Sequence, residues 1–197
     1  MKKITVFVGL MLIAAVAVNA QEYKKFRVGT GLGYAIPGGK GAGGGISWTL
    51  EPGYRVNDQI LANFRYEAAA IVRGTVDETS ASFDIAGIGS YTVNGQYYLM
   101  SGGFRPYVGV GFGMFSIAAA SIDGGTNGGG VSETAGTKFG FYPRLGFDAG
   151  HFTLNLDYNI VGNTKAIVST GTGNTTTEFK NSYIGIRIGG YFGGGRK

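Results

Sequence analysis

From Phe26 onward the chain alternates. Phe26, Val28, Leu32, Tyr34 and Ile36 are bulky and apolar, whereas Arg27, Gly29, Gly31, Gly33 and Ala35 between them are small or charged. A two-residue period sends successive side chains to opposite faces, which is the signature of a strand. The pattern returns in Ile46, Trp48, Leu50 and Tyr54 against Ser47, Thr49, Glu51 and Arg55. A third strand sets Ile60, Ala62, Phe64 and Tyr66 against Asn63, Arg65 and Glu67. The fourth covers about 81–98, the fifth about 105–118, the sixth about 134–147, and the seventh is centred on Leu154, Leu156, Tyr158 and Ile160. The last, about 179–192, sets Ile184, Ile186 and Ile188 against Gly185, Arg187 and Gly189. Eight strands with no helical period between them predict an all-β fold.

The connections fall into two kinds. Those at 56–59, 99–104 and 148–151 are short, whereas 119–133 and 162–178 are long and rich in Gly, Ser, Thr and Asn. With 37–43 and 73–79 as the remaining loops, every short turn falls at one end of an up-and-down antiparallel barrel. Short periplasmic turns and longer outer loops are how transmembrane barrels are built. A soluble lipocalin-like barrel is the alternative, with its apolar face inward and its polar face in water. Here the non-apolar face is mainly Gly, Ser, Thr and Asn, a poor soluble surface but one that suits the narrow interior of eight strands. Aromatic residues also gather toward the strand ends: Tyr34, Trp48 and Phe115 at one rim, Phe26, Tyr54, Tyr97, Phe147, Phe152 and Phe192 at the other. Such girdles mark the two membrane interfaces. The prediction is an eight-stranded antiparallel transmembrane β-barrel.

Composition agrees with this reading. Gly accounts for 38 of 197 residues and charged residues for 15%, against roughly 25% in an ordinary soluble domain. The glycines follow no three-residue period, which excludes collagen, and they alternate with large apolar residues, as strand glycines do. Lys2 and Lys3 precede an apolar stretch at 4–18, and Val18-Asn19-Ala20 follows. That is the layout of a secretory signal peptide, with 1–20 removed and 21–197 left as one barrel domain in the outer membrane. The mature chain would carry 15 Lys plus Arg against 12 Asp plus Glu, too small an excess to point to nucleic acid. No cysteine is present, which excludes a disulfide framework, a thiolate metal site and a lipid-modified N-terminal cysteine.

The segment Arg105-Pro106-Tyr107-Val108-Gly109-Val110-Gly111-Phe112-Gly113, the closing Ser182-Tyr183-Ile184-Gly185-Ile186-Arg187-Ile188-Gly189-Gly190-Tyr191-Phe192 and the alternating first strand resemble the small outer-membrane β-barrel domain family of porin-like and opacity-type surface proteins. The resemblance implies insertion by the outer-membrane barrel machinery, which in this family recognises a final strand ending in an aromatic residue. Phe192 is followed by Gly193-Gly194-Gly195-Arg196-Lys197, so the aromatic is not terminal here.

Candidate chemistry is sparse. His151 is the one histidine and falls in a short turn, at the opposite end from where an enzyme acting on outer-leaflet lipid A needs its base. The glycines around Lys40 lack the Ser or Thr that a phosphate-binding P-loop requires next, and Asp77, Glu78, Asp123 and Glu133 lack calcium-loop spacing. No catalytic residue, cofactor or metal site is expected. The constellation that stands out is inward: Glu51, Arg65, Glu67, Arg144, Asp157 and Arg187 fall at similar heights, three acids and three arginines. Strand adjacency predicts Asp157 between Arg144 and Arg187, and Glu51 beside Arg65 and Glu67. Such a network either plugs the lumen or gates it. The expected functions are therefore a non-enzymatic structural or surface-interaction protein displaying 119–133 and 162–178, or a narrow solute conduit; a lipid-A-modifying enzyme is the third reading. Outer-membrane lipid and the insertion machinery are the expected partners, with any extracellular partner engaged through the loops.

Overall fold

The computed structural model describes residues 22–38, 42–77, 80–122, 132–170 and 173–196. Residues 1–20 and the proposed cleavage site lie outside them. Ten strands follow in order: β1 Phe26–Pro37, β2 Ala42–Arg55, β3 Ile60–Asp77, β4 Ser80–Tyr98, β5 Phe104–Ile122, β6 Ser132–Ala149, β7 Phe152–Val161, β8 Thr164–Thr170, β9 Gly173–Phe179 and β10 Tyr183–Gly193. Eight of them close an antiparallel barrel in the order β1-β10-β7-β6-β5-β4-β3-β2. The seam joins the first strand to the last, with Arg27 opposite Gly193 and Ile36 opposite Ile184. Closure leaves no barrel edge unpaired along that seam, the condition for a sheet to sit in hydrocarbon.

Two expectations are corrected. Residues 162–178 were expected to be loop, but β8 and β9 pair there as a separate hairpin, with Lys165 opposite Glu178. Its β-branched residues, Ile167, Val168, Thr175, Thr176 and Thr177 among them, favour a strand. The expected loops at 73–79 and 119–133 shrink as well, because β3 runs to Asp77, β5 to Ile122, and β6 starts at Ser132. The sheet on the β3–β6 side therefore stands taller than on the β1, β2, β7 and β10 side.

The faces follow the sequence period. Leu32, Phe64, Val110, Phe112, Leu145, Leu156, Tyr158 and Ile188 are exposed on the outer wall, while Arg65, Glu67, Thr92, Tyr142, Asn159 and Arg187 are buried in the lumen. At the short-turn end exposed rings meet edge-on or tilted: Phe26 and Tyr54 at 5.1 Å, Phe104 and Phe147 at 4.9 Å. Toward the other end Trp48, Tyr66 and Tyr91 form a chain with centroids 6.0 and 5.1 Å apart. Phe115, expected in the outer girdle, is instead buried in the lumen, because it shares the parity of Tyr107 and Gly113 rather than of Met114.

Inward glycines make room for inward rings. A Cβ on Gly111 would fall on the Tyr142 ring, one on Gly140 on Phe115, and one on Gly146 on Tyr107. The turns use glycine differently: Gly102 and Gly150 have φ of 131° and 60°, a region that other residues rarely enter.

Candidate functional site

The lumen is stacked in three layers. Nearest the long-loop end, Ala35, Ala69, Ile71, Ile88, Phe115 and Val161 belong to one apolar cluster, which the Tyr142 and Tyr183 rings join from below. None of the residues of this cluster is charged. Beneath it lies the six-residue network.

All six predicted residues face inward and all are buried. Four of them close a ring. Arg187 donates to both oxygens of Glu67 at 2.7 Å and also to Asp157. Arg65 donates to Asp157 at 2.7 Å and lies 3.4 Å from Glu67. Acids and arginines thus alternate around the circuit Arg65, Asp157, Arg187, Glu67. Neutral groups complete it: Tyr183 donates to Glu67 at 2.8 Å, Asn159 to Asp157 at 2.6 Å, and Arg65 to Asn159 at 3.0 Å. Arg65 also lies flat over the Tyr142 ring, 3.9 Å from its centroid.

The remaining two pair with each other. Arg144 makes a two-pronged contact with Glu51, at 3.0 and 2.8 Å, and donates through Nε to Asn155 at 3.1 Å. The expected grouping is corrected here: Asp157 is shared by Arg187 and Arg65, not Arg144, and Glu51 takes Arg144 rather than Arg65. The reason is reach. Arg144 and Asp157 are direct cross-strand partners, so their backbones lie only one strand spacing apart. An extended arginine carries its guanidinium well past that distance, and across a narrow lumen it arrives at the opposite wall. Planar, two-pronged contacts of this kind offset much of the cost of burying both charges.

A third layer closes the short-turn end. Arg27 donates to Asp148 at 2.7 Å and to the Tyr98 hydroxyl at 2.8 Å, and that hydroxyl donates to Asp148 at 2.7 Å. Arg105 lies between two rings, 3.8 Å from the centroid of Tyr23 and 4.0 Å from that of Tyr98. The segment before β1 is drawn over this layer. Tyr23 bridges to Arg196, Lys24 donates to the Gly195 carbonyl at 2.9 Å, and the Asp58 carboxylate accepts the backbone N–H groups of Glu22 and Tyr23 at 3.0 and 3.1 Å. Sequence reading missed this layer. Its signal was an inward arginine near the short-turn end of β1, β2 and β5, at 27, 55 and 105.

His151 sits in the turn between β6 and β7, with its ring 5.3 Å from that of Tyr191. Among the described residues no group of three or more His, Asp or Glu side chains is placed to hold a metal ion.

Comparison with known proteins places this architecture. The outer membrane protein beta-barrel domain family matches residues 5–192. No curated protein sequence matches the chain. Among solved structures, Neisserial surface protein A is 20% identical, with a TM-score of 0.52 over 84% of this chain and 94% of that one. The outer membrane protein OprG from Pseudomonas aeruginosa is 16% identical, with a TM-score of 0.57 over 88% of this chain and 98% of that one. At these identities the likeness is one of fold.

Proposed function

The chain belongs to the outer membrane protein beta-barrel domain family, and from that premise we propose that it is a non-enzymatic, non-conducting envelope barrel whose outer end serves structure and surface interaction. The observation that carries this reading is the closed ring of Arg65, Asp157, Arg187 and Glu67, whose side chains are no more than 1% exposed. An ion crossing the lumen would have to break at least one of these buried pairs, and separating such a pair from one side costs about 3 to 5 kcal/mol. The apolar layer above offers a permeating ion nothing in exchange.

In this reading the short turns face the periplasm and the β8–β9 hairpin, with the tall β3–β6 wall, faces outward. Residues 1–20 direct export and are removed, and the insertion machinery engages the closing strand through Phe192, which is 77% exposed on the outer wall. Single-channel recording on the purified barrel in planar bilayers tests the proposal. Electrical silence is expected; a reproducible unitary conductance would favour the conduit. Protease cleavage within 162–178 on intact cells checks the orientation, which fails if only permeabilised cells are cut.

A further inference from the structure

The layer at the short-turn end holds a buried guanidinium, Arg105, that makes no ion pair among the described residues. Arg105 is 2% exposed, and its Nε and Nη1 have no hydrogen-bond partner; only Nη2 is used, donating to the Asp58 carbonyl. No carboxylate lies within ion-pair distance of it among the described residues. Of the acids at this end, Asp148, the cross-strand neighbour of Arg105, bonds Arg27 and Tyr98 through Oδ2 and leaves Oδ1 without a partner. The Asp58 carboxylate holds the backbone of Glu22 and Tyr23, and Glu22 pairs with Arg196. A buried guanidinium without an anion is costly. Its surroundings are basic too: Lys24, Lys25, Arg27, Arg55, Arg105 and Arg196 gather at this end against Glu22, Asp58 and Asp148.

Arg105 also borders an open recess of about 210 Å³. Gly102, Gly103, Gly150 and Gly195 are among its lining, and the exposed Arg196, paired with Glu22 at 3.2 Å, borders it. Without side chains of their own, these glycines leave room for an anion beside Arg105. The Arg105 guanidinium lies 3.8 and 4.0 Å from the Tyr23 and Tyr98 ring centroids, and its planar fork suits the paired oxygens of a phosphate.

We propose that this recess is a phosphate-binding site, with Arg105 as its floor and Arg196 as its gatepost. The phosphate can come from a lipid headgroup, since exposed Phe104, Phe152 and Phe192 set this end at an interfacial level. It can equally come from a soluble phosphate ester. The inference is independent of whether the lumen conducts.

Titration of the purified barrel in maltoside micelles, which contain no phosphate, with inorganic phosphate tests the site by arginine-edited NMR and calorimetry. Saturable binding is expected. Arg105→Gln should abolish it, and Arg105→Lys should weaken it about tenfold, since an ammonium keeps the charge and loses the fork. The heat-dependent gel shift reports whether each variant is folded; if Arg105→Gln is not, Arg196→Gln on the open rim should still weaken binding several-fold in a folded barrel. Repeating the titration in phosphatidylglycerol nanodiscs separates the sources: a site already filled there points to a headgroup, and unchanged binding points to a soluble ester. No saturable binding in maltoside, or binding that survives Arg105→Gln in a folded barrel, overturns the proposal.

Discussion

Removing the charge of Asp157 would leave Arg65 and Arg187 sharing only Glu67. Breaking a buried pair from one side costs about 3 to 5 kcal/mol, so Asp157→Asn should lower the urea midpoint of the folded barrel markedly. Glu22→Gln is the matched control. Its partner Arg196 is 65% exposed and 3.2 Å away, and an exposed pair contributes no more than about 1 kcal/mol. Equal, small shifts in the two variants would show that the ring does not hold the barrel together. His151→Ala should shift the midpoint by no more than about 0.5 kcal/mol, as surface substitutions usually do, because this exposed ring only leans on Tyr191. The sequence identified which side of the strand each of the six charges occupies, because parity alone decides it. It could not choose their partners. Arg144 faces Asp157 across one strand spacing and yet reaches Glu51 on the far wall, and only a closed cylinder brings that wall within range.

Among the elements, the seam between β1 and β10 is sensitive to small changes of size. A Cβ on Gly189 would fall on the backbone of Thr30 and Gly31. Gly189→Val should therefore push the first and last strands apart, at a cost of about 1 to 3 kcal/mol for overpacking, and reduce the fraction of protein that shifts on a gel after heating. If the variant refolds as fully as the parent, the seam tolerates more than this packing allows. The eight barrel strands were legible because each has one apolar and one small or polar face, a contrast that a bilayer outside and a narrow lumen inside both demand. The fourth strand was read nearly to its full length. The extensions of β3 to Asp77, β5 to Ile122 and β6 from Ser132, and the β8–β9 hairpin, fall in stretches rich in Gly, Ser, Thr and Asn or next to them, where composition points to loop while the backbone still pairs. Phe115 escaped for a related reason. A ring near a strand end suggests a girdle, but its odd position on β5 commits it to the lumen, opposite the space that Gly140 leaves open.

At the scale of the whole molecule, the protein should be recovered with the outer membrane, begin at Gln21, and migrate differently before and after boiling in detergent. Appearance in the soluble periplasmic fraction would contradict the assignment. The same architecture governs how the barrel is made. Of all its strand pairings, the seam unites the described segments farthest apart along the chain, whereas every other barrel pair except β7–β10 is a simple hairpin. Contacts between distant segments pay their loop-closure entropy late and slow folding. The Tyr23 latch is completed by that step, because one of its partners, Arg196, follows β10 and meets Tyr23 when β10 has reached β1. Fluorescence from a probe beside Tyr23 should therefore rise after strand content has already formed, which makes the latch a clock for closure.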